Sequence, residues 1–249
     1  MQLIQGLPKG VMVGQTRVHH ENVQKTASET LQGFNLALHV QDDAARVQQH
    51  RMQLLKDFST FAVNKITWMN QTHSTTCHRV ENEICFQALD GDGLVTTTHG
   101  HALMMMTADC LPVVLGNSDG TEVANLHAGW RGLAGGIVEN TIACMNSQPT
   151  WAWLGAAISQ ECFEIGAEVK AAFCDTYPEL ETAFKAGEKS GKYYADLYAI
   201  AGFILKQQGV KTVLGGDQCS YKQVDEYFSY RREARTGRMA TFVFMTDQC

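Results

Sequence analysis

The sequence predicts an α/β (α+β) fold in which a mixed β-sheet carries helices on its outer faces. Two observations support this. Short apolar runs rich in strand formers are interspersed with segments of helical period, without the regular alternation of a Rossmann or barrel repeat. No repeat or low-complexity linker divides the 249 residues, and the four prolines (Pro8, Pro112, Pro149 and Pro178) mark no boundary, so one domain over residues 1–249 is expected.

The elements follow in chain order. Residues 42–58 read as a helix, because two aspartates open the segment and Val47, Leu54, Leu55 and Phe58 fall near one face. Residues 65–71, K-I-T-W-M-N-Q, read as a strand. H-A-L-M-M-M-T (101–107) and L-P-V-V-L-G (111–116) read as buried strands around the break A-D-C, and 121–126 as a further short strand. After Arg131, L-A-G-G-I-V-E-N-T-I-A-C-M reads as a helix weakened by its glycine pair. A strand over 151–158, helices over 166–176 and 194–208, and strands over 211–214 and 239–245 complete the pattern, with Gly209 stopping the last helix.

Hydrophobic residues make up 45% of the chain and charged residues 18%, an ordinary globular balance. The formal net charge is −6 and no Lys/Arg run occurs, which argues against a nucleic-acid polymer as partner. The opening M-Q-L-I-Q-G-L-P-K-G lacks the apolar stretch of an export signal, and Asp109 interrupts the apolar region 102–115. A cytoplasmic protein without membrane association is expected, with a monomer as the default. The eight cysteines form no C-x-x-C pair and are expected to be reduced, mostly as small core residues.

The stretch N-L-H-A-G-W-R-G, Asn125 to Gly132, sits at a strand-to-helix corner. Two other strand ends carry metal-capable side chains: His73 in N-Q-T-H-S and Cys110 in T-A-D-C-L-P. Two imidazoles and a thiolate suit Zn²⁺ and leave one coordination position for water or substrate. Spacing alone forms no regular zinc pattern, and nine histidines and eight cysteines also produce such a triple by chance. Asp109 is either a carboxylate that orients a ligand histidine or a turn residue.

A-D-C-x-P followed by H-A-G-W-R-G is highly specific. With F-N-L-A-L-H-V-Q-D-D, D-G-D-G-L-V-T, L-G-A-A-I-S-Q-E-C-F-E-I-G-A-E-V, Y-A-D-L and F-S-Y-R-R-E-A-R-T-G-R, it makes the chain resemble the YfiH/DUF152 family, also called laccase-domain or multicopper polyphenol oxidase proteins. The resemblance implies a zinc bound by His73, Cys110 and His127. It also implies phosphorolysis of purine nucleosides (adenosine, inosine, methylthioadenosine) and adenosine deamination. The older family label is copper-dependent phenol oxidation, and some bacterial members are tied to editing of peptidoglycan precursors. Thr16-Arg17 is followed here by V-H-H-E-N-V in place of the family's T-R-x-G-G-V-S, so Arg17, the substrate contact that loop implies, sits in a segment without the glycine pair. Q-T-H-S replaces Q-V-H-G and keeps the ligand, and G-A-A-I-S replaces G-P-A-I-G.

Phosphorolysis needs phosphate held beside C1′ of a ribose, and arginine's fork matches two phosphate oxygens. The candidates are Arg131, tied by sequence to His127, then Arg231, Arg232 and Arg238; Arg231 and Arg232 read equally as a solvated strand end. Trp130 reads as a core residue before a base-stacking one, and Asn35 as a substrate contact or a turn amide. For deamination Asp109 or a site histidine serves as acid/base, although the H-x-E with P-C-x-x-C signature is absent. In a rival reading Cys110 is the nucleophile of a hydrolase. Multicopper oxidation wants several H-x-H pairs, and His99-Gly100-His101 stands alone. A metal-stabilised binding protein is the non-enzymatic alternative.

Overall fold

In the computed structural model, which describes residues 2–21, 31, 33–81 and 88–247, two mixed sheets pack face to face. The five-stranded sheet runs in the order Gln2–Leu3, Val11–Gln15, Met239–Met245, His101–Thr107, Lys65–Thr67. The six-stranded sheet runs Thr212–Gly215, Trp151–Leu154, Leu111–Gly116, Val123–Ala128, Gly93–Thr96, Cys77–Arg79. Each sheet has one or more parallel pairings among antiparallel ones. The expected mixed sheet is therefore divided into these two large sheets and two small ones of three and two strands, and the chain crosses between the large sheets at Ala108-Asp109-Cys110.

Strand alternation explains the continuous apolar runs. Leu103 and Met105 point into the layer between the sheets with Val243, Met245, Val114, Val123 and Trp153. Ala102 and Met104 face outward beneath a helix. A strand covered on both sides has no polar face to show, so H-A-L-M-M-M-T carries no period of two. Asn125 is a buried polar residue between the sheets: its Nδ2 donates to the carbonyls of Leu103 and Thr241, both at 3.0 Å.

Helix α1 (Ala44–Ser59) covers the five-stranded sheet, packing Leu54 and Phe58 against Met104, Phe242 and Phe244. Asp43 caps it by accepting from the Arg46 N–H at 2.7 Å. Phe58 is fully buried, and truncation to alanine would cost about 3–5 kcal/mol. Helices α2 (Trp130–Gly135), α3 (Ile137–Cys144), α4 (Ala167–Cys174) and α5 (Leu197–Gln207) cover the six-stranded sheet. The single helix expected after Arg131 is two, because Gly136 adopts φ 97°, a left-handed conformation that ends α2. The expected strand 65–71 is also divided, into Lys65–Thr67 in the five-stranded sheet and Met69–Gln71 paired with Leu89–Gly91. Asp196 caps α5, and its expected first residues, Tyr194 and Ala195, belong instead to the strand Lys192–Ala195. No helix among the described residues is long and apolar enough to cross a membrane. Six cysteines within them are free thiols; Cys85 and Cys249 lie outside the described residues.

Candidate active site

Three chain corners bring His73, Cys110 and His127 together, with their ligand-capable atoms all within 4.8 Å of one another. His127 ends a strand of the six-stranded sheet, Cys110 occupies the crossing between sheets, and His73 follows Met69–Gln71. Two of the corners need unusual backbone: His73 has φ 57° and Asp109 φ 96°, in the left-handed region that non-glycine residues enter at a cost. Gly129 lets the third corner approach. A Cβ there would lie 3.1 Å from Cys110 Sγ and 3.4 Å from His73 Cδ2.

Asp92 orients the donors. Its Oδ1 lies 2.7 Å from His127 Nδ1, while Oδ2 accepts from the Ser74 N–H at 2.5 Å and the Ser74 hydroxyl at 2.8 Å. One buried carboxylate thus fixes one histidine and the loop of the other. Burial acts to raise the Asp92 carboxyl, but the hydrogen bonds from His127 and Ser74 hold it below its usual range. Burial likewise pushes the Cys110 thiol up, and the charge and hydrogen bonds of His127 and His73 overcome this, bringing it down to about 6. His127 is depressed by burial, yet Cys110 and Asp92 raise it to about 9.

The donor chemistry fits a metal ion. Two imidazoles and a thiol that ionises readily are the set a tetrahedral Zn²⁺ accepts, and ligand atoms in such a site lie about 3.4–3.8 Å apart, within the observed spread. Nδ1 of His127 is committed to a carboxylate, which leaves Nε2 as the nitrogen available to a metal.

The three residues line a cavity of about 420 Å³, the size of small-molecule sites. Its walls are apolar at Met106, Ile158 and Phe163 and polar at His39, Gln71, Asp109, Tyr230, Arg231 and Arg238. Arg238 is half-buried and donates from Nη1 to the carbonyls of Thr236 (2.9 Å) and Gly237 (3.0 Å). Arg231 donates from Nη1 to the Glu164 carbonyl at 3.1 Å, with its guanidinium over the Phe163 ring.

Other sequence candidates lie elsewhere. Arg131 does not line the cavity; its guanidinium lies on Trp130, 4.3 Å from the ring centroid, because α2 leads away from the donors. Trp130 packs on the core beneath the six-stranded sheet. Arg17 pairs with Glu226, and Arg232 clamps the carbonyls of Ser220, Tyr221 and Tyr227. Asn35 is a buried turn amide whose Oδ1 accepts the Arg238 N–H at 2.9 Å, so it supports an arginine of the cavity from behind. Asp109 lines the cavity but orients no histidine: its oxygens accept from the Ser220 hydroxyl and the Arg231 N–H, each at 2.6 Å. The orienting carboxylate, Asp92, was not singled out by sequence reasoning. Its signal is an acid between two glycines, in D-G-D-G, immediately before the short strand G-L-V-T, which is buried throughout.

The family model described as multi-copper polyphenol oxidoreductase laccase matches residues 16–246. Among curated relatives, "Purine nucleoside phosphorylase YfiH" of Shigella flexneri is 37% identical over 96% of this chain and 96% of that protein. The protein of the same name from Escherichia coli (strain K12) is 38% identical over 85% of this chain and 86% of its own length. A crystal structure of a Neisseria meningitidis protein described as DUF152 superposes with a TM-score of 0.87 at 40% identity, covering 96% of both chains. YlmD from Geobacillus stearothermophilus superposes with a TM-score of 0.83 at 25% identity, over 96% of this chain and 93% of that one.

Proposed function

The chain belongs to the YfiH/DUF152 family, and on that premise we propose that it cleaves purine nucleosides with phosphate in the cavity lined by His73, Cys110 and His127. The observation that carries this reading is the convergence of three metal donors in a cavity that also holds two arginines. His73, Cys110 and His127 would hold Zn²⁺, which would supply a Lewis acid to the cavity.

The other roles fall to the cavity walls. Met106, Ile158 and Phe163 exclude water and pack against base and sugar. Arg238 and Arg231 hold phosphate beside C1′, with the two-pronged geometry arginine offers an oxyanion. A phosphate oxygen then bonds to C1′ as the bond to the purine nitrogen breaks; the base takes up the proton that hydrogen phosphate gives up, yielding the sugar 1-phosphate and the free base. His39 is pushed below its ordinary value by burial, then by Arg238 and Arg51. It therefore meets substrate as a neutral ring able to hydrogen-bond the base.

The test is turnover of adenosine, inosine and methylthioadenosine by purified protein, with and without phosphate. Base and ribose 1-phosphate (5-methylthioribose 1-phosphate from methylthioadenosine) formed only with phosphate support the reading. Inosine formed from adenosine without phosphate places deamination at the same site. Release of no base from any of the three sinks the reading.

One observation favours a second reading. Cys110, His127 and Asp92 form a thiol–imidazole–carboxylate chain, the arrangement of a cysteine hydrolase. A chelator and a thiol alkylator separate the two: loss of activity on metal removal, restored by Zn²⁺, excludes a free Cys110 nucleophile.

A further inference from the structure

Two pairs of thiols neighbour each other outside the candidate active site, and their surroundings differ. Cys77 and Cys144 meet beneath α3, where Cys144 Sγ lies 3.8 Å from the Cys77 carbonyl oxygen. Burial and the neighbouring thiol push Cys77 up to about 12, so Cys77 stays protonated. Cys162 and Cys219 gather around Ser159 near the cavity wall: the Ser159 carbonyl accepts the Cys162 N–H and its hydroxyl lies 3.0 Å from Cys219 Sγ.

The second pair is built to hold negative charge on one sulfur. Cys219 Sγ accepts from the backbone N–H groups of Ser159 and Lys222, both at 3.4 Å, and lies 3.0 Å from the Ser159 hydroxyl. Burial raises the Cys219 thiol, but Ser159 and the backbone N–H groups of Ser159, Lys222 and Tyr221 outweigh it and lower the thiol from its ordinary value. Ser159 joins both cysteines, because its carbonyl accepts the Cys162 N–H at 3.0 Å. Cys162 closes the short 3-10 turn Gln160–Cys162 and is partly exposed, which gives a small oxidant a way in and leaves this sulfur room to move. Cys219 is anchored: it pairs with Ala157 across a β-bridge, and its N–H donates to Gln223 Oε1 at 2.6 Å.

We propose that Cys162 and Cys219 are a peroxide-reactive dithiol, with Cys219 the attacking sulfur and Cys162 the resolving one. The Cys219 thiolate attacks one oxygen of a hydroperoxide; an S–O bond forms, the O–O bond breaks, and the alkoxide or hydroxide that leaves takes up a proton. Cys162 then attacks the Cys219 sulfenic acid. An S–S bond forms, the S–O bond breaks, and the thiol proton leaves with the hydroxide as water. Two thiols are oxidised to one disulfide, while the hydroperoxide is reduced to an alcohol (or water) and a second water. The crosslink ties the 160–164 segment, whose Cys162 and Glu164 carbonyls face the Arg231 guanidinium at 3.4 and 3.1 Å, to the 219–222 turn. It depends on no assignment of the reaction at the metal donors.

The test is peptide mapping, under non-reducing conditions, of full-length reduced protein treated with stoichiometric hydrogen peroxide. The expected product is a Cys162–Cys219 crosslink, lighter than the reduced protein by two hydrogens and reversed by dithiothreitol, with Cys77 and Cys144 unmodified. In Cys162→Ser, Cys219 should accumulate as a sulfenic acid trapped by dimedone; in Cys219→Ser, Cys162 should consume peroxide at least about tenfold more slowly than the wild-type pair. A Cys77–Cys144 crosslink forming first, or dimedone labelling Cys162 in place of Cys219, overturns the proposal. So does a wild-type map with both thiols intact, which keeps the test decisive even where a variant fails to fold.

Discussion

The Asp92 carboxylate stands 2.7 Å from His127 Nδ1, and the same residue's carbonyl accepts the His127 N–H at 2.8 Å. Side chain and backbone thus fix one histidine from one neighbour. The pairing of Gly93 with Leu126 sets both contacts, because it carries Asp92 past the strand end to the level of His127.

Asp92→Asn is expected to lower metal affinity about 10- to 100-fold, the usual effect of losing a carboxylate behind a ligand histidine. Competition titration with a chromophoric chelator measures it. Unchanged affinity would show that the β-strand backbone alone orients His127.

Gly129→Ala tests the crowding of the donors. The backbone there, φ −64° and ψ 162°, suits alanine, so thermal stability should hold. The added methyl meets Cys110 Sγ and the His73 ring, and bound metal per chain should fall. Full metal content with an unshifted Tm would mean that the corners relax freely.

Arg131 and Arg238 should behave oppositely. Arg131→Ala removes a guanidinium that covers Trp130 outside the cavity, and should leave turnover within about twofold of wild type, as for most surface substitutions. Arg238→Lys keeps the charge in the cavity but loses the fork, and should lower phosphate-dependent turnover about 100-fold or more. Steady-state rates at saturating phosphate would expose the reverse order if Arg131 holds the anion.

His101 should make the fold acid-sensitive. It is fully buried, with Nε2 2.7 Å from the Thr67 hydroxyl and no hydrogen-bond partner on Nδ1. Burial, then Lys65, lower it from 6.5 to about 4, while Glu81 acts to raise it. The unfolded chain therefore binds more protons between those values. This contribution is constant above about 6.5 and costs progressively more stability as pH falls toward about 4. Urea unfolding of wild type and His101→Gln across this range should show the variant losing less stability on acidification; parallel curves would remove His101 from the account.

The sequence makes the three donors legible because each follows a strand-forming run, and strand ends gather side chains from distant segments. The helix over α1 is legible from its aspartate cap and apolar face. The division of the sheet is not, because strands buried on both faces show the same unbroken apolar run whether one sheet or two surround them. Arg131 misleads for a related reason. Adjacency to His127 in sequence suggests adjacency in space, but a helix starting at Trp130 turns the next side chain away. Arg238, a candidate in the sequence, does line the cavity, whereas Asp92 reaches the donors through the long-range pairing of Gly93 with Leu126, which local pattern does not encode.

The strand Met239–Met245 lies between Val11–Gln15 and His101–Thr107 in the five-stranded sheet, so during translation that sheet waits for its middle. Early strands leave the ribosome with open edges on either side of a gap, and at about 5–20 residues per second the gap persists for many seconds. Through that interval Val13 and Met105 have no neighbour at Val243, and their apolar side chains are available to chaperones or to other nascent copies.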